Sequence, residues 1–226
     1  MNASTTSELT SRQRRTPWVD DPYAHALRTG RGPLFLRRSD GWMLPLEVER
    51  WCAEPDAADT ELLRRCRGPV LDIGCGPGRL VAALTAYGLP ALGLDVSPAA
   101  VARTRGMGGA VLRRSVFEPL PGEGRWATAL LADGNVGIGG DPAALLRRVR
   151  QLVAQGGVLL VEADAYDVDE RFTVRVEDAF GRYGEEFPWA RVGSAGVVEA
   201  AEAAGWAPVE HWTCDGRRFV SLRPTA

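Results

Sequence analysis

The stretch VLDIGCGPGR, residues 70–79, decides the fold. Val70 to Ile73 reads as a short buried strand, set off by Gly68-Pro69 before it and a glycine-rich turn after it. Gly74, Gly76 and Gly78 place three residues in that turn that admit positive φ and leave the backbone open to close approach. RLVAALTAYG follows as a helix stopped at Gly88, so its unbonded N–H groups and positive dipole end face the turn. ALGLDV is a second strand, and it brings Asp95 to its end, seventeen residues past Gly78. In open α/β sheets ligands bind beyond the carboxyl ends of the strands, and an acid at this place can accept both hydroxyls of a ribose.

Outward from this core the alternation continues. Ser97-Pro98 is a cap followed by proline, opening a helix to about Arg105. AVLRRSV is a third strand and WATALLAD a fourth. Asp141-Pro142 opens a helix to about Ala154, and Gly156-Gly157 breaks the chain before VLLVEAD, a fifth strand. Upstream, Asp59 is placed to cap a helix running to about Cys66. Downstream, SAGVVEAAEAAG is a helix, and WAPVEHWTC and RRFVSLRP are strands joined by Asp215-Gly216, a hairpin signal. The pattern predicts an α/β fold: a Rossmann-like, seven-stranded, mostly parallel sheet with an antiparallel C-terminal hairpin. Residues 1–16 read as a disordered tail. Residues 17–55 read as an N-terminal lid segment, helical near 22–29 and 46–52 and irregular between. Residues 56–226 read as one domain, with a β-hairpin or lid inserted at about 165–192.

Composition narrows the chemistry. All 27 basic residues are arginine, which excludes a P-loop or Schiff-base lysine. The net charge of -2 and the dispersed arginine pairs argue against nucleic acid as a partner. The four cysteines lack CxxC spacing, so reduced thiols, no structural metal and a cytoplasmic location are expected. No run of about 18 apolar residues predicts a membrane span. A dinucleotide cofactor wants G-x-G-x-x-G, but Arg79 occupies the third glycine position. An NAD(P)-dependent oxidoreductase therefore remains an alternative of lesser weight, as does a non-catalytic ligand-binding protein of the same fold.

VLDIGCGPGR followed by GLDVSPAAV closely resembles the motifs of class I S-adenosylmethionine-dependent methyltransferases, and the strand order over roughly 57–226 is similar to theirs. The resemblance implies S-adenosylmethionine as cofactor, with S-adenosylhomocysteine as product. It implies that Asp72 holds the methionine end, that Gly74, Cys75, Gly76 and Gly78 form the turn against methionine and ribose, that Asp95 binds the ribose hydroxyls and that Val96 packs on adenine. Ser115 stands where many members carry an acid for the adenine amino group; Ser115 and the Val116 backbone, or Glu118, are the candidates in its place. Asp133, Gly134 and Asn135, after the fourth strand, are candidates to contact the methionine ammonium and the acceptor.

Methyl transfer is an in-line displacement that alignment and desolvation can drive, and a base helps when the acceptor is a hydroxyl or carbon acid. The candidates for that base are Asp133, His25 and Tyr23, with His211 behind them; Tyr23 and Trp18 are also candidates to shape the acceptor pocket. Asp133, Asp164 and Asp167 would be the ligands of a metal-assisted variant. The expected partner is a small-molecule acceptor of bacterial secondary metabolism, and the expected assembly a monomer or homodimer.

Overall fold

The computed structural model describes residues 21–225; the expected tail over 1–16 and Trp18 lie outside them. Asp21 accepts the Ala24 amide at 2.7 Å and caps the first helix, α1 (Pro22–Thr29), which Gly30 ends in the left-handed region. Between it and the next helix the chain is not irregular, as its aromatic and proline content suggested. It forms an antiparallel hairpin, β1 (Leu34–Arg37) and β2 (Met43–Leu46), before α2 (Val48–Cys52). The capping residue of α3 (Ala57–Leu63) is Asp56 rather than Asp59; Asp59 sits at the third helical position and completes a reciprocal capping box.

The decisive stretch then folds as read: β3 (Val70–Ile73), α4 (Arg79–Ala86), β4 (Ala91–Asp95) and α5 (Pro98–Gly106). After β5 (Val111–Arg113), β6 (Trp126–Leu131) runs into a kinked 3-10 helix (Asn135–Gly140) and α6 (Pro142–Leu152). The strand β7 (Val153–Ala163) starts directly at the helix end and passes through Gly156-Gly157, which therefore do not mark a break between elements. β8 (Asp169–Asp178) and β9 (Tyr183–Val192) are the inserted hairpin. α7 (Ser194–Glu202), β10 (Trp206–Cys214) and β11 (Arg217–Pro224) close the chain.

Two sheets result. The larger has the order β10-β11-β7-β6-β3-β4-β5, parallel except for the two C-terminal strands. One face is covered by α6 and α7 through Leu145, Leu146, Val149 and Val197, the other by α3 and α4 through Leu62, Leu63, Leu80 and Leu84. The strand order reverses between β3 and β6, which opens a crevice at the carboxyl ends of β3, β4 and β6. The smaller sheet, β2-β1-β8-β9, is antiparallel and joins the N-terminal hairpin to the insertion. Its inner side chains (Leu34, Leu36, Val174 and Val176) pack with Ala26 of α1 and Val48 of α2. Arg103 of α5 fastens α1 by donating to the Leu27 carbonyl at 2.7 Å. No helix among the described residues is long and apolar enough to cross a membrane.

Candidate functional site

The turn after β3 is held from three sides. The amides of Gly74 and Cys75 both donate to the Leu94 carbonyl, and Gly76 N–H donates to Asp95 Oδ2 at 3.0 Å. Asp95 Oδ1 accepts Ser97 N–H at 2.8 Å, so the acid at the end of β4 locks the glycine turn to the start of α5. Asn135 Nδ2 donates to the carbonyls of Ile73 and Gly74, and its carboxamide lies where a Gly74 side chain would be: a Cβ there would sit 2.7 Å from it, at φ 73. Gly78 is equally constrained, with φ 91 and Thr104 within 2.6 Å of a would-be Cβ. These positions need glycine for both backbone and space.

Above the turn lies a cavity of about 350 Å³. The larger sheet contributes Ile73, Gly74, Gly76, Asp95, Val96, Ser115, Val116, Asp133 and Asn135 to its wall. The smaller sheet and its helices contribute Leu36, Leu46, Val176, Phe187 and Trp189, with Tyr23 and Trp51. The Tyr23 and Trp51 rings meet edge-on at 6.5 Å, and Phe187 and Trp189 do so at 6.1 Å.

Beneath it is a buried charge network that no local motif announces. Arg79, the residue that displaces the third glycine of a dinucleotide motif, is 4% exposed. Its guanidinium donates to both carboxylate oxygens of Asp59 at 2.8 Å and to Asp133 at 2.7 and 3.1 Å. Arg50 of α2 reaches Asp133 at 2.9 Å. Arg217 of β11 binds Glu162, Asp56 and Asp59. Burial pushes the Asp59 carboxyl up, but Arg79 and Arg217 outweigh it and bring it down to about 2. Burial likewise opposes ionisation of Asp133, and Arg79, then Arg50 and Arg217, hold it below the ordinary carboxylate range. The Asp133 backbone is itself left-handed, φ 55, with its N–H on Glu162 at 2.6 Å.

Asp72 is the exception among these acids. It is 1% exposed and its Oδ2 has no hydrogen-bond partner. Burial raises its carboxyl to about 7; Arg79 opposes this, and Asp133, Asp95 and Asp59 add to it. Asp95 is raised to about 6 by burial, against the pull of the Ser97, Gly76 and Val96 amides.

Of the residues singled out from sequence, Gly74, Cys75, Gly76, Asp95, Val96, Ser115, Val116, Asp133, Asn135 and Tyr23 come together at the cavity. The Cys75 side chain packs on Gly93. Asp72, Gly78 and Gly134 support its floor without lining it. His25 does not belong: it is exposed on the outer side of α1, whose buried side is Ala24, Ala26 and Leu27. His211 is exposed on β10. Its ion pairs speak against Asp133 as a base, because a carboxylate held ionised by the Arg79, Arg50 and Arg217 guanidiniums has little affinity for a proton. Glu118 turns away to accept the Ser115 amide at 2.8 Å, and Asp164 is bound by Arg191 at 2.8 Å.

The comparisons with known proteins agree with this geometry. The family model described as "Methyltransferase domain" matches residues 48–210. The chain belongs to that family, the class I S-adenosylmethionine-dependent methyltransferases. No curated protein sequence matches it. Among solved structures it is similar to an S-adenosylmethionine-dependent methyltransferase from Bacteroides fragilis in complex with S-adenosyl-L-homocysteine. The TM-score is 0.73 at 18% identity, over 90% of this chain and 93% of that one. It is also similar to the sugar N-methyltransferase KedS8 from a Streptoalloteichus species (TM-score 0.57, 21% identity, 75% of this chain and 88% of that one). A third likeness is to the 1,6-didemethyltoxoflavin-N1-methyltransferase of Burkholderia thailandensis (TM-score 0.54, 19% identity, 75% and 79%).

Proposed function

We propose that this enzyme transfers a methyl group to a small-molecule acceptor, in the cytoplasm and in bacterial secondary metabolism, with the two-part smaller sheet as the acceptor-binding cap over a cofactor floor. The observation that carries the cofactor placement is Asp95, which lines the cavity and is locked to the glycine turn, with the Asp72 carboxylate buried behind that turn and one of its oxygens unpartnered. An uncompensated buried charge persists where a bound cation satisfies it, and the α-ammonium of S-adenosylmethionine is such a cation. A second orphan of opposite sign, the buried Nη1 of Arg50, supports the same zwitterionic end. Asp95, already fixed by two amides, has acceptor capacity left for ribose hydroxyls. Val96, Ser115 and Val116 would hold the adenine.

When bound, the cofactor supplies a methyl group already activated as a sulfonium. The chain's share is alignment and exclusion of water: the glycine turn fixes the floor, and the capping sheet supplies apolar cover. The acceptors of the similar enzymes, a sugar and 1,6-didemethyltoxoflavin, support a small-molecule acceptor.

Calorimetric titration with S-adenosylmethionine, S-adenosylhomocysteine and NADH tests the reading. Micromolar binding of the two sulfur ligands, lost in Asp95→Ala, is expected. Binding of NADH alone overturns it.

A further inference from the structure

We infer that Arg50 is the residue that holds the cofactor's carboxylate, and that the enzyme therefore discriminates against a donor lacking that group; the inference rests on the methyltransferase reading above and assigns a recognition residue within it.

Arg50 lies in α2, outside the larger sheet. Among the described residues three buried side-chain nitrogen or oxygen atoms have no hydrogen-bond partner: Arg50 Nη1, Asp72 Oδ2 and Trp212 Nε1. Trp212 is on β10, in a ring stack with Phe219. The other two carry opposite charges and share one neighbourhood. Asp72 of β3 pairs with Leu130 of β6, the strand that leads into Asp133. Arg50 Nη2 stands 2.9 Å from Asp133 Oδ1, and Trp51, the next residue, lines the cavity together with Asp133. Unsatisfied atoms of buried charged groups are costly. A pair of opposite sign is what the ammonium and the carboxylate of one amino acid satisfy together.

Three guanidiniums surround Asp133, and they are unequally engaged. Arg79 has all three nitrogens in hydrogen bonds, to Asp59 and Asp133. Arg217 has all three in hydrogen bonds, to Glu162, Asp56 and Asp59. Arg50 makes one hydrogen bond, from Nε to exposed Glu47 at 3.2 Å; Nη2 is an ion-pair neighbour of Asp133, and Nη1 has no partner. Its side chain is 24% exposed, against 4% for Arg79 and 14% for Arg217, so it is the least enclosed of the three. A guanidinium with its terminal nitrogens spare takes a carboxylate in a forked pair of hydrogen bonds. With the ribose on Asp95 at the end of β4, the β5 side is left for the base and the crevice between β3 and β6 for the amino-acid end. Arg114, the other guanidinium on the cavity wall besides Arg79, follows β5 and so stands at the wrong end. Because α2 belongs to the segment outside the larger sheet, a carboxylate on Arg50 also ties that segment to the loaded cofactor.

The test compares S-adenosylmethionine with its decarboxylated form, which keeps the sulfonium and the ammonium and lacks the carboxylate, by calorimetry on the full chain. Wild type should bind the decarboxylated form about 30-fold more weakly. In Arg50→Gln that ratio should fall below about threefold, through weaker binding of S-adenosylmethionine. Methylthioadenosine, which has no amino-acid end, should bind the variant as it binds wild type and so certifies its fold. Hydrogen exchange of the α2 amides should slow when S-adenosylhomocysteine binds and stay unchanged with methylthioadenosine. A wild-type ratio below about threefold, a ratio that survives in Arg50→Gln, or α2 exchange that ignores the carboxylate overturns the inference and leaves the methyltransferase reading intact. If Arg50→Gln does not fold, the wild-type ratio and the exchange measurement decide. Failure of both S-adenosylmethionine and S-adenosylhomocysteine to bind overturns both.

Discussion

Replacing Asp72 with asparagine should make the ligand-free protein more stable and the liganded one weaker. The side chain is 1% exposed and its Oδ2 has no partner to lose. Burial displaces its carboxyl from 3.8 to about 7. Between these values the folded chain holds a proton that the unfolded chain has released, so wild-type stability falls as pH rises through this window. Asparagine removes the fall. The variant should gain about 2 kcal/mol at pH 5 and about 4 kcal/mol at pH 8, both as upper bounds. Binding should move the other way. Loss of a charge-assisted hydrogen bond to the ligand ammonium, worth about 1.5–3 kcal/mol, weakens S-adenosylhomocysteine binding roughly 10- to 100-fold. Urea midpoints at pH 5 and pH 8, with calorimetry on the same samples, read both effects. A variant less stable than wild type at pH 8 would refute the claim that the charge is uncompensated. A variant with wild-type affinity would refute the claim that it meets the ammonium.

Arg217→Leu leaves buried Glu162 without its guanidinium, with only the Asp133 amide as partner, and takes one of two guanidiniums from Asp59; it should cost about 3 kcal/mol in denaturant unfolding, unlike the gain at Asp72. Because Asp59 is held down to about 2, its contribution is present above the ordinary carboxylate range and lost as pH falls toward 2; Asp59→Asn should flatten that acid limb of the stability curve. Gly78→Ala forces a side chain into φ 91 against Thr104 and should lose about 1–3 kcal/mol, together with cofactor affinity, by thermal melting with and without ligand. His25→Ala should leave turnover within about twofold, since the residue faces solvent away from the cavity; a loss of a hundredfold would restore it as a catalytic group.

The glycine turn and its lock to Asp95 were legible because everything that specifies them is local. Gly74, Gly76, Gly78 and Asp95 lie within one strand–turn–helix–strand unit, and each residue type has a backbone or hydrogen-bonding reason to be there. The smaller sheet was not legible, because it is made by pairing segments about 140 residues apart, Leu34 with Asp178 and Arg37 with Arg175. Pro33 and Pro45 further disguised the first hairpin as irregular. Arg79 was read only as a residue too large for a dinucleotide turn; its partners, Asp59 of α3 and Asp133 after β6, are 20 and 54 residues away, so nothing near it in sequence marks it as buried. The exposure of His25 follows from helix phase: Ala24, Ala26 and Leu27 define the inner stripe of α1, and position 25 falls outside it.

The pairing of β1 with β8 also orders how the enzyme comes into being. Closing that contact spans most of the chain, so its entropy cost is met only after intervening segments are already compact. The larger sheet, built mainly from neighbouring strands and helices, should therefore form before the smaller one, an order that pulsed hydrogen exchange during refolding would read. A chain caught between those stages would still grip its methyl donor while offering it to water instead of to an acceptor.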